Sequence, residues 1–125
     1  MPDRSVTVFR PGGVSYLHIP AKDPAAAGAF YESIFGWHLR EGDSSGFEDA
    51  SGHVIGHFLP DHEVAGEAGI RPYIYVESVE QTLARLTQRG GTTVTAPYRE
   101  GDLIVATFRD PTGNVLGIWQ QAARE

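Results

Sequence analysis

Asp23-Pro24-Ala25-Ala26-Ala27-Gly28-Ala29-Phe30-Tyr31-Glu32-Ser33-Ile34-Phe35-Gly36 decides the fold, because it spells one helix with both ends marked. An aspartate accepts from the free amides of a first turn, and proline fits the first helical position. Ala27, Phe30, Tyr31, Ile34 and Phe35 recur at helical spacing and make one apolar face. Gly36 then stops the helix. The same design returns 55 positions later at Ser78. Ser78-Val79-Glu80-Gln81 reads as a capping box, Ser taking the amides and Gln reaching back. Val79, Leu83 and Leu86 form the buried stripe, and Gly90-Gly91 ends the element. The same shift pairs Ile19 with Ile74, Tyr31 with Leu86 and Gly36 with Gly91.

Strands flank each helix. Residues 14–20 alternate, with Val14, Tyr16 and His18 on one face and Ser15, Leu17 and Ile19 on the other. Short strands are expected at 37–40, 47–50 and 53–59, with turns at 41–45 and 51–52. The second half repeats this with strands at 71–76, 92–98, 103–108 and 115–120. Asp110-Pro111-Thr112-Gly113 is a reverse turn before the last of them. The stretch before the second half is acidic, contains two glycines and reads as a linker rather than a packed element. The expectation is one α+β domain over 1–125: module one at 13–60, linker at 61–69, module two at 70–121. Each βαβββ module has one sheet face covered by its helix. The two open faces are expected to form a common concavity, where any ligand would bind.

Bulk properties narrow the partners. The chain has 125 residues, enough for a hydrophobic core without staples. It has no cysteine, so disulfides and thiolate metal sites are excluded. A formal net charge of -6, with ten basic residues scattered among sixteen acids, argues against nucleic acid and anionic membranes as partners. The first residues carry no apolar run like a signal peptide's, and no window approaches a membrane span, so a cytoplasmic location is expected.

Three stretches carry a family resemblance. They are Ile19-Pro20-Ala21-Lys22-Asp23-Pro24 with Phe30-Tyr31 and Phe35-Gly36-Trp37; residues 73–76 with Ser78-Val79-Glu80, Leu83 and Gly90-Gly91; and Asp110-Pro111-Thr112-Gly113-Asn114 with Gly117-Ile118-Trp119-Gln120. In this order, over residues 13–121, they resemble the vicinal oxygen chelate superfamily, which joins glyoxalases, bleomycin-resistance proteins and dioxygenases. The resemblance implies two paired βαβββ modules in a cupped mixed β-sheet, the glyoxalase-like fold, and a homodimer. It also implies a divalent metal held by His and Glu at one inward position on the first and last strand of each module. Such an ion acts as a Lewis acid on neighbouring substrate oxygens or activates oxygen. Carried onto this chain, those positions fall on Tyr16, on Gly56 or His57, on Arg71 and on Gly117. Tyrosine is a rare ligand, arginine cannot be one and glycine has no side chain. The chain therefore departs from the glyoxalase I pattern at three of four places.

The candidate catalytic residues are His18 and Tyr16, as proton donors and acceptors. The candidate ligand-binding residues are Tyr16, His18, His57, Arg71, Tyr73 and Trp119. His18 is equally readable as a polar wall residue, and Arg71 as a strand-edge cation paired with a surface acid. Trp119 shares its face with Gly117, whose missing side chain is expected to leave room for a ligand. Trp37 and Phe30/Tyr31 read as core, and His38, His53 and His62 as solvated surface. No Ser-His-Asp arrangement, phosphate loop or HExxH helix is present. The leading expectation is a protein that binds a small aromatic or anionic molecule without the glyoxalase I metal and with no cofactor. One alternative is a metal-dependent lyase, isomerase or dioxygenase with relocated ligands His18 and His57, joined by Glu48 or Glu77. The other is a dimeric scaffold or interaction domain.

Overall fold

The computed structural model describes residues 8–40, 42 and 45–122. The expected turn at 41–45 therefore falls largely outside the described residues, as do residues 1–7. The chain divides into unit 1, Met1–Glu63, and unit 2, Val64–Glu125.

Unit 1 runs β1 (Tyr16–Pro20), α1 (Pro24–Phe35), β2 (His38–Leu39), β3 (Gly46–Glu48) and β4 (Ile55–Leu59). Its strands make one mixed sheet in the order β1-β4-β3-β2, with β1 parallel to β4 and the other pairs antiparallel. Helix α1 begins and ends as its sequence dictates. The Asp23 carboxylate accepts from the Ala26 amide at 3.1 Å, and Gly36 takes a left-handed φ of 72°. The core is aromatic. Tyr31 stacks on Trp37 at 4.5 Å, Trp37 on Phe47 at 5.0 Å, and Phe47 leans on Phe58 at 4.7 Å. Tyr31, Phe47 and Phe58 are fully buried. Each such ring contributes about 1.5–3 kcal/mol by leaving water.

Unit 2 runs β5 (Tyr73–Tyr75), α2 (Val79–Thr87), β6 (Thr92–Glu100), β7 (Leu103–Arg109) and β8 (Val115–Gln121). The sheet order is β5-β8-β7-β6, again with the first pair parallel and the rest antiparallel. Ser78 caps α2 by accepting from the Gln81 amide at 3.1 Å. The Gln120 side chain takes the Val79 amide at 2.7 Å, so a strand residue helps to cap the helix. Val79, Leu83 and Leu86 are buried as expected, together with Phe108 and Ile118 of the sheet.

Four strands, β1, β2, β4 and β5, start later than the sequence suggests. β5 opens at Tyr73 because Pro72 has no amide to give a ladder. β4 opens at Ile55 because the Asp49 carboxylate holds the preceding turn, accepting from Gly52 at 2.9 Å and Val54 at 3.3 Å. The stretch expected to be a free linker is partly packed. Ala65 donates to the Asn114 side chain at 2.9 Å and accepts from the Val115 amide at 2.8 Å. Among the described residues, no helix is long and apolar enough to cross a membrane.

Candidate functional site

In unit 1 the parallel pairing of β1 and β4 sets Tyr16 opposite Ile55 and His18 opposite His57. This fixes the register that alternation alone left open. Gly56 is buried against the Phe47 ring of the core, so it is His57 that shares the open face with Tyr16. Tyr16 Oη lies 2.6 Å from His57 Nδ1. With Nδ1 unprotonated, the phenol donates and the imidazole accepts. The His18 ring stands edge-on to Tyr16 at 5.2 Å. His62 is exposed, as read, and its ring centroid lies 6.2 Å from that of His18. His53 departs from the expectation, being half-buried with its Nδ1 out of solvent and, among the described residues, unpaired. His38 is exposed, as read.

Glu48 pairs with Ile55 across β3 and β4, which puts it on the same face one row from His57. Glu77 is exposed in unit 2, two residues past β5. Among the described residues, no group of three or more His, Asp or Glu gathers closely enough to hold a metal ion.

Unit 2 has an open face of different character. Register places Tyr98, Val105, Trp119 and Tyr75 in one rank across β6, β7, β8 and β5. Tyr75 meets the Trp119 ring edge-on at 5.0 Å. A cleft of about 300 Å³ opens here, lined by Tyr73, Glu100, Leu103, Val105 and Trp119. Tyr98 donates to the Glu100 carboxylate at 3.3 Å. Partial desolvation, then the Glu100 charge, then the Tyr73 phenol raise the Tyr98 hydroxyl above the ordinary tyrosine value, while Arg71 pulls it back.

Gly117 does not leave an empty space, contrary to the expectation. The Tyr73 ring lies over it, with Cζ 2.7 Å from where a Cβ would stand. Arg71 precedes the strand instead of alternating within it. Its Nη2 donates to the Glu67 carbonyl at 2.6 Å, and its Nε is buried without a partner among the described residues. The two units therefore place the six candidates unevenly. Tyr16, His18 and His57 gather on the face of unit 1, while Tyr73 and Trp119 line the cleft of unit 2. Glu100, Leu103, Val105 and Tyr98 were not singled out by the sequence. Glu100 falls there between the expected strands at 92–98 and 103–108, and only the β6–β7 pairing shows that it lies beside the rank of rings.

The four positions where the family resemblance puts metal ligands offer few donors. Tyr16 and His57 already bond to each other. Arg71 is a cation engaged with a carbonyl, and Gly117 lies beneath a tyrosine ring. One imidazole and one phenol do not fit a divalent ion of the glyoxalase I kind.

Comparison with known proteins agrees with the architecture. The family model of the glyoxalase-like domain matches residues 16–118. CFP32 of Mycobacterium bovis and of Mycobacterium tuberculosis, each named as a candidate glyoxylase, is 29% identical over 96% of this chain. The chain spans about half the length of these curated relatives, 49%. A glyoxalase/bleomycin resistance protein/dioxygenase family enzyme from Burkholderia phytofirmans superposes with a TM-score of 0.66 at 22% identity, covering 86% of this chain and 97% of that one. A glyoxalase-related enzyme from Fulvimarina pelagi gives a TM-score of 0.69 at 15% identity, covering 88% of each chain. At these identities the two structures speak for the fold.

Proposed function

This chain belongs to the glyoxalase-like domain family, and from that premise we propose that it binds a small organic molecule carrying an aromatic ring, without the glyoxalase I metal. The observation that carries this reading is the unit 2 cleft, where Tyr73 and Trp119 supply ring faces and Leu103 and Val105 an apolar floor. Its volume of about 300 Å³ suits a compound of one or two rings. Stacking and apolar burial give affinity there without a metal.

The test uses tryptophan fluorescence, because Trp119 lines the cleft while Trp37 is buried in the core of unit 1. Aromatic compounds are expected to quench saturably and to raise the melting temperature. Gly117→Ala should drive the Tyr73 ring off its seat and weaken the same compounds about tenfold or more. Unchanged affinity in that variant, or no quenching by any aromatic compound, would sink the reading.

The Tyr16–His57 bond of 2.6 Å favours a second reading, proton transfer on a ligand at the face of unit 1. Tyr16 would take a proton from an acidic C–H while its own proton passes to His57 Nδ1. The C–H electron pair would stay on the ligand as an enolate, and the reverse transfer would return the proton. This needs no ion, and phenol–imidazole pairs are competent acid–base partners. Deuterium exchange from solvent into a ligand is expected to fall about 100-fold or more in Tyr16→Phe, with its affinity nearly unchanged. Exchange at the wild-type rate in Tyr16→Phe would remove this pair from the chemistry.

A further inference from the structure

We infer that the unit 2 cleft selects an organic cation: a flat ring bearing an ammonium or amidinium group. The inference rests on the small-ligand reading above and deepens it. Among the described residues, the one charged side chain lining the cleft is Glu100, beside Tyr73 and Trp119. Among the described residues that carboxylate makes no ion pair, and its hydrogen bond comes from the neutral Tyr98 hydroxyl at 3.3 Å.

Among the described residues no arginine pairs with Glu100. Arg99 adjoins Glu100 in β6, but it pairs with Ile104 on the alternate rank and donates to the Gly101 carbonyl at 3.2 Å. Arg71 donates to the Glu67 carbonyl. Arg109 donates to the Gly113 carbonyl at 3.2 Å and reaches the Glu67 carboxylate at 3.8 Å. A carboxylate with no ion pair among the described residues, at the rim of an aromatic wall, fits a cation in two ways. The carboxylate offers a charge-assisted hydrogen bond, and the ring faces offer cation–π attraction. An anion would meet Glu100 with like charge. The net charge of -6 biases the approach of ligands the same way.

The experiment titrates the full chain by calorimetry with three compounds of one shape: naphthylmethylamine, naphthylmethanol and naphthoate. The amine is expected to bind about tenfold or more tighter than the alcohol, with naphthoate weakest. Glu100→Gln, an exposed and volume-conserving change, should bring the amine down to the alcohol. Equal binding of amine and alcohol, or a preference for naphthoate, overturns the cation assignment while the small-ligand reading stands. A preference for the amine that survives in Glu100→Gln overturns it too. No binding by any of the three defeats the ligand reading itself, and the cation assignment with it.

Discussion

Alanine at position 56 is expected to unfold unit 1 in mild denaturant. Gly56 lies in β4 where its missing side chain would point into the core. A Cβ there would overlap the Leu17 backbone carbonyl and stand 2.5 Å from Phe47 Cζ. The carbonyl belongs to β1, which is held to β4 along its length. It cannot swing away as a lysine tip would. Phe47 is fully buried and packed against Trp37 and Phe58, so the ring has nowhere to turn. Overpacking of ordinary cores costs about 1–3 kcal/mol, and backbone overlap takes this change to the top of that range or beyond. That is a large share of a domain's usual 5–15 kcal/mol, roughly. The check is a urea titration followed by Trp37 fluorescence. Gly66→Ala is the control, because nothing lies within 4 Å of its Cβ and its backbone is not left-handed. A Gly56→Ala midpoint equal to that of the control would disprove the account.

Asp110→Ala is expected to be nearly as costly in unit 2. Asp110 is 3% exposed, and its carboxylate accepts three hydrogen bonds from one short turn. Two come from the Gly113 and Asn114 amides, each at 2.9 Å, and one from the Asn114 side chain at 3.0 Å. Asn114 is 1% exposed and uses its own carbonyl to hold Ala65. Alanine strands two donors, both on buried Asn114, while the Gly113 amide keeps the Asp110 backbone carbonyl at 2.9 Å, and it unpins the segment that Asn114 anchors. Stranded donors cost about 1–3 kcal/mol each, partly recovered by water, so a loss of about 3 kcal/mol or more follows. Asp110→Asn keeps one acceptor oxygen and should lose less. Chemical denaturation of both variants, with amide exchange at Ala65 as the local probe, distinguishes the network from a mere turn preference. Wild-type protection at Ala65 in Asp110→Ala would refute it.

What the residues disclosed in advance depended on how local the information was. Helix ends were legible because Asp23, Gly36 and Ser78 act within four residues of themselves. The repeat was legible for the same reason, since two caps in register need no tertiary contact to be seen. The face shared by Tyr16 and His18 followed from strand alternation. The partner of Tyr16 did not, because register between β1 and β4 is set by pairing across a gap of about 40 residues. The β6 face was hidden by irregularity. Its pairing shifts between Thr93 and Thr95 and again between Thr95 and Tyr98, so simple alternation fails to carry the count to Tyr98 and Glu100. The packing of Ala65 was invisible because it depends on a side chain 49 positions away.

The fit of Tyr73 over Gly117 also acts as a ratchet on how this chain can change. A metal-binding side chain at 117 would have to enter space that the tyrosine ring now fills. Shrinking Tyr73 first would strip a wall from the cleft, and enlarging Gly117 first would force the ring aside. The two positions are therefore coupled: a side chain at 117 needs a smaller residue at 73, and a tyrosine at 73 needs glycine at 117.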